Sequence, residues 1–137
     1  MGQGVEVSDT ANSDPTAQEL VQTGWHKAAA SLDLPRRGLL RVAIRGKEVL
    51  LSRLEDGTPA ACHPLCPHEN APLVEGSVYM GAIDCPLHHY LYDLRSGCNR
   101  YPRNVFPADK VAELAPLRMY PTYEGDGVLW VKIEAPP

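Results

Sequence analysis

Cys66-Pro67-His68 and, sixteen residues further on, Cys85-Pro86-Leu87-His88 are the stretch on which the reading of this chain turns. These two short loops hold two of its four cysteines and two of its five histidines. Thiolates and imidazoles concentrated in this way call for a metal. The first pair stands at i and i+2, so in an extended loop both side chains point to one side. The second stands at i and i+3, a turn spacing, and two thiolates and two imidazoles can then converge from opposite sides. A single zinc ion accepts such a set. The order of the ligands argues against zinc, because zinc modules usually bring Cys-Cys and His-His as separate pairs and here each loop is mixed.

At these residues the chain resembles the Rieske proteins, whose signature is Cys-x-His, a gap of about this length, and Cys-x-x-His around a [2Fe-2S] cluster. The flanks carry the resemblance further: Ala61 before the first loop, Glu69 to Leu73 as its exit, Gly76 and Val78 before the second loop, and Tyr92-Asp93-Leu94 with Gly97 after it. The resemblance spans Trp25 to Ile133. It implies an all-β fold of stacked antiparallel sheets with a small cluster-binding subdomain, and one Rieske-type [2Fe-2S] cluster per chain. Cys66 and Cys85 would bind one iron, and His68 and His88 the other.

Length and charge set the outer bounds. A chain of 137 residues is read as one domain, with no room for a second, catalytic one. Its net charge is −4, so no basic stripe suggests nucleic acid. No apolar run approaches the roughly 18 residues needed to cross a bilayer, and no basic region followed by an apolar core opens the chain. A cytoplasmic protein with neither a membrane nor a nucleic-acid partner is expected.

In chain order, residues 1–22 are mostly small and polar and read as a flexible leader. The cluster-binding domain then runs over 23–135, with ligand loops at 62–72 and 85–92. Trp25 marks its edge. Residues 39–44 and 48–54 read as a hairpin about Arg45-Gly46-Lys47. Residues 58–62 lead into the first ligand loop, and 77–79 with 82–84 form a second hairpin about Met80-Gly81 that delivers Cys85. Residues 90–94 follow, and 117–123 and 128–133 flank a turn at Glu124-Gly125-Asp126-Gly127. Between them, 98–116 is longer than a compact Rieske ferredoxin needs. Residues 109–115 have a helical composition with Asp109 as cap. This insertion reads either as a surface lobe packed by Phe106 and Val111 or as a partner-docking element beside the cluster.

The chemistry follows from the implied ligands. Two thiolates leave the oxidised cluster neutral where four would leave it a dianion, so an electron enters more easily. Potentials accordingly rise from about −400 mV in plant-type ferredoxins to roughly −150 to +300 mV. Ala71 and Leu87 stand where high-potential Rieske proteins carry a cross-linking pair of cysteines. Tyr90 stands at the place of a sulfur-bonding serine, while Tyr92 keeps a sulfur-bonding tyrosine. These places imply a low-potential site. His89 replaces the usual glycine and is expected either to crowd its loop or to add an imidazole beside the cluster. Cys62 and Cys98 are expected to be buried free thiols; His63 is read as a loop residue and His26 as structural.

The resulting expectation is a one-electron carrier, not itself a catalyst, that passes electrons from a flavin-dependent reductase to a terminal oxygenase. Beside it stand a cluster-based redox sensor, which no DNA- or effector-binding segment supports, and two further alternatives. One is the small Rieske subunit of a larger oxidoreductase such as a nitrite or arsenite oxidoreductase. The other is a zinc-stabilised interaction module, which would be colourless.

Overall fold

The structure is a computed structural model that describes residues 15–133. Its organising strand is Lys47–Arg53 (β3), whose last five residues are all buried. Such an unbroken buried run belongs to a strand covered on both faces, not to one with an exposed side. Alternation along the strand explains how: Val49 and Leu51 enter one apolar cluster, Leu50 and the following Leu54 another. Pro59–Cys62 (β4) repeats the pattern, with Ala61 on the first side and Ala60 and Cys62 on the second.

The sheet containing these strands is therefore the middle of three layers. Leu39–Ile44 (β2), β3, β4 and Met119–Tyr120 (β9) form it in that order, all antiparallel. On one side lies a sheet of Trp25–Ala30 (β1), Val128–Lys132 (β11) and Thr122–Gly125 (β10), whose Leu129 and Val131 pack against Val49, Leu51 and Ala61. On the other lies the sheet of Ser77–Tyr79 (β5), Ala82–Asp84 (β6), Leu91–Asp93 (β7) and Asn99–Tyr101 (β8). Its Val78, Ile83 and Tyr92 close over Leu50, Leu54 and Cys62, in a cluster that also contains Cys66 and Cys85. The all-β expectation of stacked antiparallel sheets with a small additional subdomain is what the structure shows.

Three hairpins share one local device. Arg45-Gly46, Met80-Gly81 and Asp126-Gly127 each place two consecutive residues at positive φ, joining β2 to β3, β5 to β6 and β10 to β11. This is the two-residue turn whose twist matches that of paired strands. The turn at 124–127 is consequently tighter than expected, since Glu124 and Gly125 belong to β10.

Arg53, at the end of β3, ties the middle layer to the outer one. Its guanidinium donates to Leu34 O at 2.6 Å and Gly57 O at 2.9 Å, and to both carboxylate oxygens of Glu124 on β10 at 2.9 and 2.8 Å.

Several expectations change. The leader expected over 1–22 lies outside the described residues for 1–14, but Ala17–Gln22 form a short helix (α1). Thr16 and Glu19 close a reciprocal capping box at its start, and Leu20 is buried. β1 and β8 were not foreseen. β1 reads Trp-His-Lys-Ala-Ala-Ala, too alanine-rich to signal a strand, and is held by pairing with β11 across the domain. The helix expected over 109–115 is instead a 3-10 segment over Ala108–Glu113, preceded by another over Arg103–Val105. Asp109 is not its cap: Pro107 occupies that position, and no side chain bonds the exposed amides. Among the described residues no helix is long and apolar enough to cross a membrane.

Candidate metal centre

The two ligand loops are built on one backbone plan. In the first, Cys66 N donates to Ala71 O at 2.8 Å and Asn70 N donates to Cys66 O at 2.7 Å. In the second, Cys85 N donates to Tyr90 O at 2.9 Å and His89 N to Cys85 O at 3.0 Å. A proline follows each cysteine, fixing φ where the turn begins, and the residue four places on, Asn70 or His89, takes φ of 58°. Each loop thus returns on its own cysteine, which is locked at the base, while the histidine two or three residues later stands at the rim.

Burial separates the two ligand types accordingly. Cys66 and Cys85 are fully buried and belong to one apolar cluster. Burial raises the Cys66 thiol above its ordinary pKa, and the neighbouring Cys85 raises it further, against the lowering effect of the His68 and Glu69 backbone amides. The imidazoles of His68 and His88 have their centroids 5.1 Å apart at 68°. The ring nitrogens of His68 and His88 and a carboxylate oxygen of Glu69 lie within 4.8 Å of one another, above loops whose cysteines are buried at the base.

Two features show that this donor set suits a metal. Two adjacent buried thiols ionise only where positive charge compensates them, and a metal supplies it. His68 Nδ1, moreover, is buried with no hydrogen-bond partner, an arrangement that costs stability unless a ligand fills it.

The surroundings hold Glu69 and Tyr90, whose placement here was not read from the sequence, and Tyr92, whose role was. Glu69 stands between the imidazoles, with carboxylate oxygens 3.8 Å from His68 Nε2 and 4.0 Å from His88 Nδ1, too far for hydrogen bonds. Tyr90 stacks on His68, ring centroids 3.8 Å apart and planes 10° from parallel. Only the three-dimensional course of the second loop brings it there. Tyr92 Oη lies 3.9 Å from Cys66 Sγ, as its place in the sequence suggested. Burial first, then the nearby Cys66 thiol, raise the Tyr92 phenol above its ordinary pKa and keep its proton.

The remaining candidates are placed as follows. His89 supplies no further imidazole to the centre: its ring is exposed and its Nδ1 lies 3.0 Å from Asp84 Oδ1. The positive φ of its backbone is the feature that glycine would satisfy without strain. Cys62 is a buried free thiol in β4, pushed up to about 12 by burial. Cys98 is free but exposed, contrary to expectation, because it lies in the turn before β8. His63 is an exposed loop residue whose imidazole pKa is lowered by partial burial and by Arg118, Lys47 and Arg41. His26 lies in β1. The 98–116 insertion borders the site: Phe106, Leu114 and Ala115 line a cleft of about 260 Å³ whose opposite wall is Pro67, His68, Tyr90 and Tyr92.

Stacked antiparallel sheets ending in paired Cys/His loops define a class of protein built to carry a metal centre at its tip. The family model of the Rieske [2Fe-2S] domain matches residues 24–121, and the chain belongs to that family. Its cofactor is accordingly a Rieske [2Fe-2S] cluster. The oxygenase component of dicamba O-demethylase from Stenotrophomonas maltophilia is 31% identical over 113 residues, which are 81% of this chain and 32% of that protein. The chain spans about a third or less of the length of the first curated relatives it matches. Among solved structures, the ferredoxin of carbazole 1,9a-dioxygenase from Nocardioides aromaticivorans IC177 shares the fold, with a TM-score of 0.66 at 24% identity over 80% of this chain and 98% of that one. A complex of reduced oxygenase and oxidised ferredoxin in carbazole 1,9a-dioxygenase gives a TM-score of 0.65 at 23% identity, covering 80% of this chain and 94% of the matched one.

Proposed function

We propose that the protein is a soluble one-electron carrier of the cytoplasm, taking electrons from a flavin-dependent reductase and passing them to a terminal oxygenase. Cys66 and Cys85 hold one iron of the cluster, and His68 and His88 the other. The observation that carries this reading is a pair of fully buried thiols in the same two loops as the unpartnered His68 Nδ1. When bound, the cluster supplies one-electron oxidation and reduction. The chain's own part is to bury the thiol side, leave imidazole at the rim, and keep Tyr92 Oη beside Cys66 Sγ. Ala71 and Leu87 provide no second thiol pair near the loops, and the site is of the low-potential type. The likeness to a ferredoxin covering 98% of that chain supports a carrier, and the ferredoxin–oxygenase complex supports an oxygenase as acceptor.

A second reading, that the chain works as the Rieske part of a larger oxidoreductase, is favoured by one finding. The relative at 31% identity is an oxygenase component of which this chain covers only 32%. Anaerobic purification followed by visible absorption and electron paramagnetic resonance tests the cofactor, since zinc would leave the protein colourless. Size-exclusion chromatography of the native protein from its source tests the carrier: migration as the free chain supports it, and a stable stoichiometric complex favours the second reading.

A further inference from the structure

The two imidazoles of the centre are not equivalent. One face of His68 is covered by Tyr90, stacked at 3.8 Å and 10° from parallel. Its other surroundings are the cleft that Phe106 and Leu114 wall from the lobe side. The lobe is held in place at both ends, because Leu117 N donates to Gly97 O at 2.8 Å and Arg103 N to Asn99 Oδ1 at 3.0 Å. The side chain of His68 is 25% exposed, that of His88 47%. Beside His88, Leu87 projects with 53% of its surface exposed.

We propose that the centre is one-sided: Tyr90 and the lobe over 102–115 orient and shelter His68, and leave His88 the more accessible imidazole. The inference rests on the proposal that these histidines are cluster ligands. An imidazole held through one nitrogen turns about that bond unless something flanks it, and the Tyr90 ring, lying parallel against His68, blocks the turn. Tyr90 is thus a positioning residue, acting through His68.

The test is carbethoxylation of the oxidised, cluster-loaded protein by diethyl pyrocarbonate, mapped by peptide mass spectrometry. His88 is expected to react several-fold faster than His68. Tyr90→Leu is expected to raise the His68 rate several-fold and to shift the electron paramagnetic resonance g-values, and Tyr90→Phe to restore both. Equal rates for the two histidines in the wild type overturn the proposal, as does a Tyr90→Leu protein with unchanged His68 reactivity and spectrum. Should Tyr90→Leu fail to hold the cluster, Phe106→Ala opens the cleft from the lobe side, and unchanged His68 reactivity there also overturns it. A wild type without the [2Fe-2S] spectrum ends the cluster assignment, whereas a normal spectrum with equal histidine reactivities ends this inference alone.

Discussion

Cys62 and Cys66 are four residues apart and both fully buried, yet their thiols have different surroundings. Around Cys62 nothing offsets burial, which pushes its thiol up to about 12 and keeps it protonated and inert. Cys66 lies against Cys85 with imidazoles at the rim, where a metal can claim both sulfurs. Cys62→Ala is therefore expected to keep the visible spectrum, whereas alanine at Cys66, His68, Cys85 or His88 bleaches it. A bleached Cys62→Ala beside a coloured Cys66→Ala would show the ligand assignment to be wrong. Tyr92 acts at the same scale. Its hydroxyl, kept protonated by burial and by the nearby thiol, is placed to donate to a Cys66 thiolate, and such bonds to sulfur raise a cluster's potential. Tyr92→Phe is expected to lower the potential by on the order of tens of mV in voltammetry; an unchanged potential would remove the bond from the account.

Among the elements, β3 and β10 are linked by the Arg53–Glu124 ion pair. Arg53 is buried, so Arg53→Met strands the Glu124 carboxylate and the Leu34 and Gly57 carbonyls, at a cost of about 3 kcal/mol. Thermal unfolding should then begin roughly 10 °C lower, and adding Glu124→Leu should recover part of the loss. The same pair sets an acid limb. The Arg53 hydrogen bond holds the Glu124 carboxyl below its ordinary 4.5, against the opposing effect of burial. Its contribution to stability is thus complete above about pH 4.5 and disappears as pH falls through the lower folded value. Glu124→Gln is expected to flatten stability against pH in that window; a limb as steep as the wild type's would assign acid unfolding to other carboxylates. At the root of the lobe, Gly97 has φ of 82°, and a Cβ there would collide with Leu117 O. Gly97→Ala is expected to cost about 2 kcal/mol in denaturant unfolding, and a neutral effect would mean that the lobe is not pinned there.

For the whole molecule, a net charge of −4 gives a weak acidic field that steers basic surfaces toward it. Electron transfer from a reductase should slow as salt screens that field beyond about 10 Å at 0.1 M; stopped-flow rates flat in ionic strength would exclude electrostatic steering. The candidate donors could be singled out in the sequence because thiol and imidazole chemistry at short spacing is a local property. Cys66, His68, Cys85 and His88 can be named without knowing where the loops lie. The hairpins at Arg45-Gly46, Met80-Gly81 and Asp126-Gly127 were legible for a similar reason, since a positive φ is a demand on one or two residues. Tertiary structure alone decided that alanine-rich β1 is a strand, because its partner β11 lies at the far end of the chain. It also turned His89 toward Asp84, exposed Cys98, wound 108–113 as a 3-10 segment and laid Tyr90 on His68. Each of these depends on which side chains distant segments bring into contact and which directions the folded backbone leaves open, and spacing along a chain carries neither.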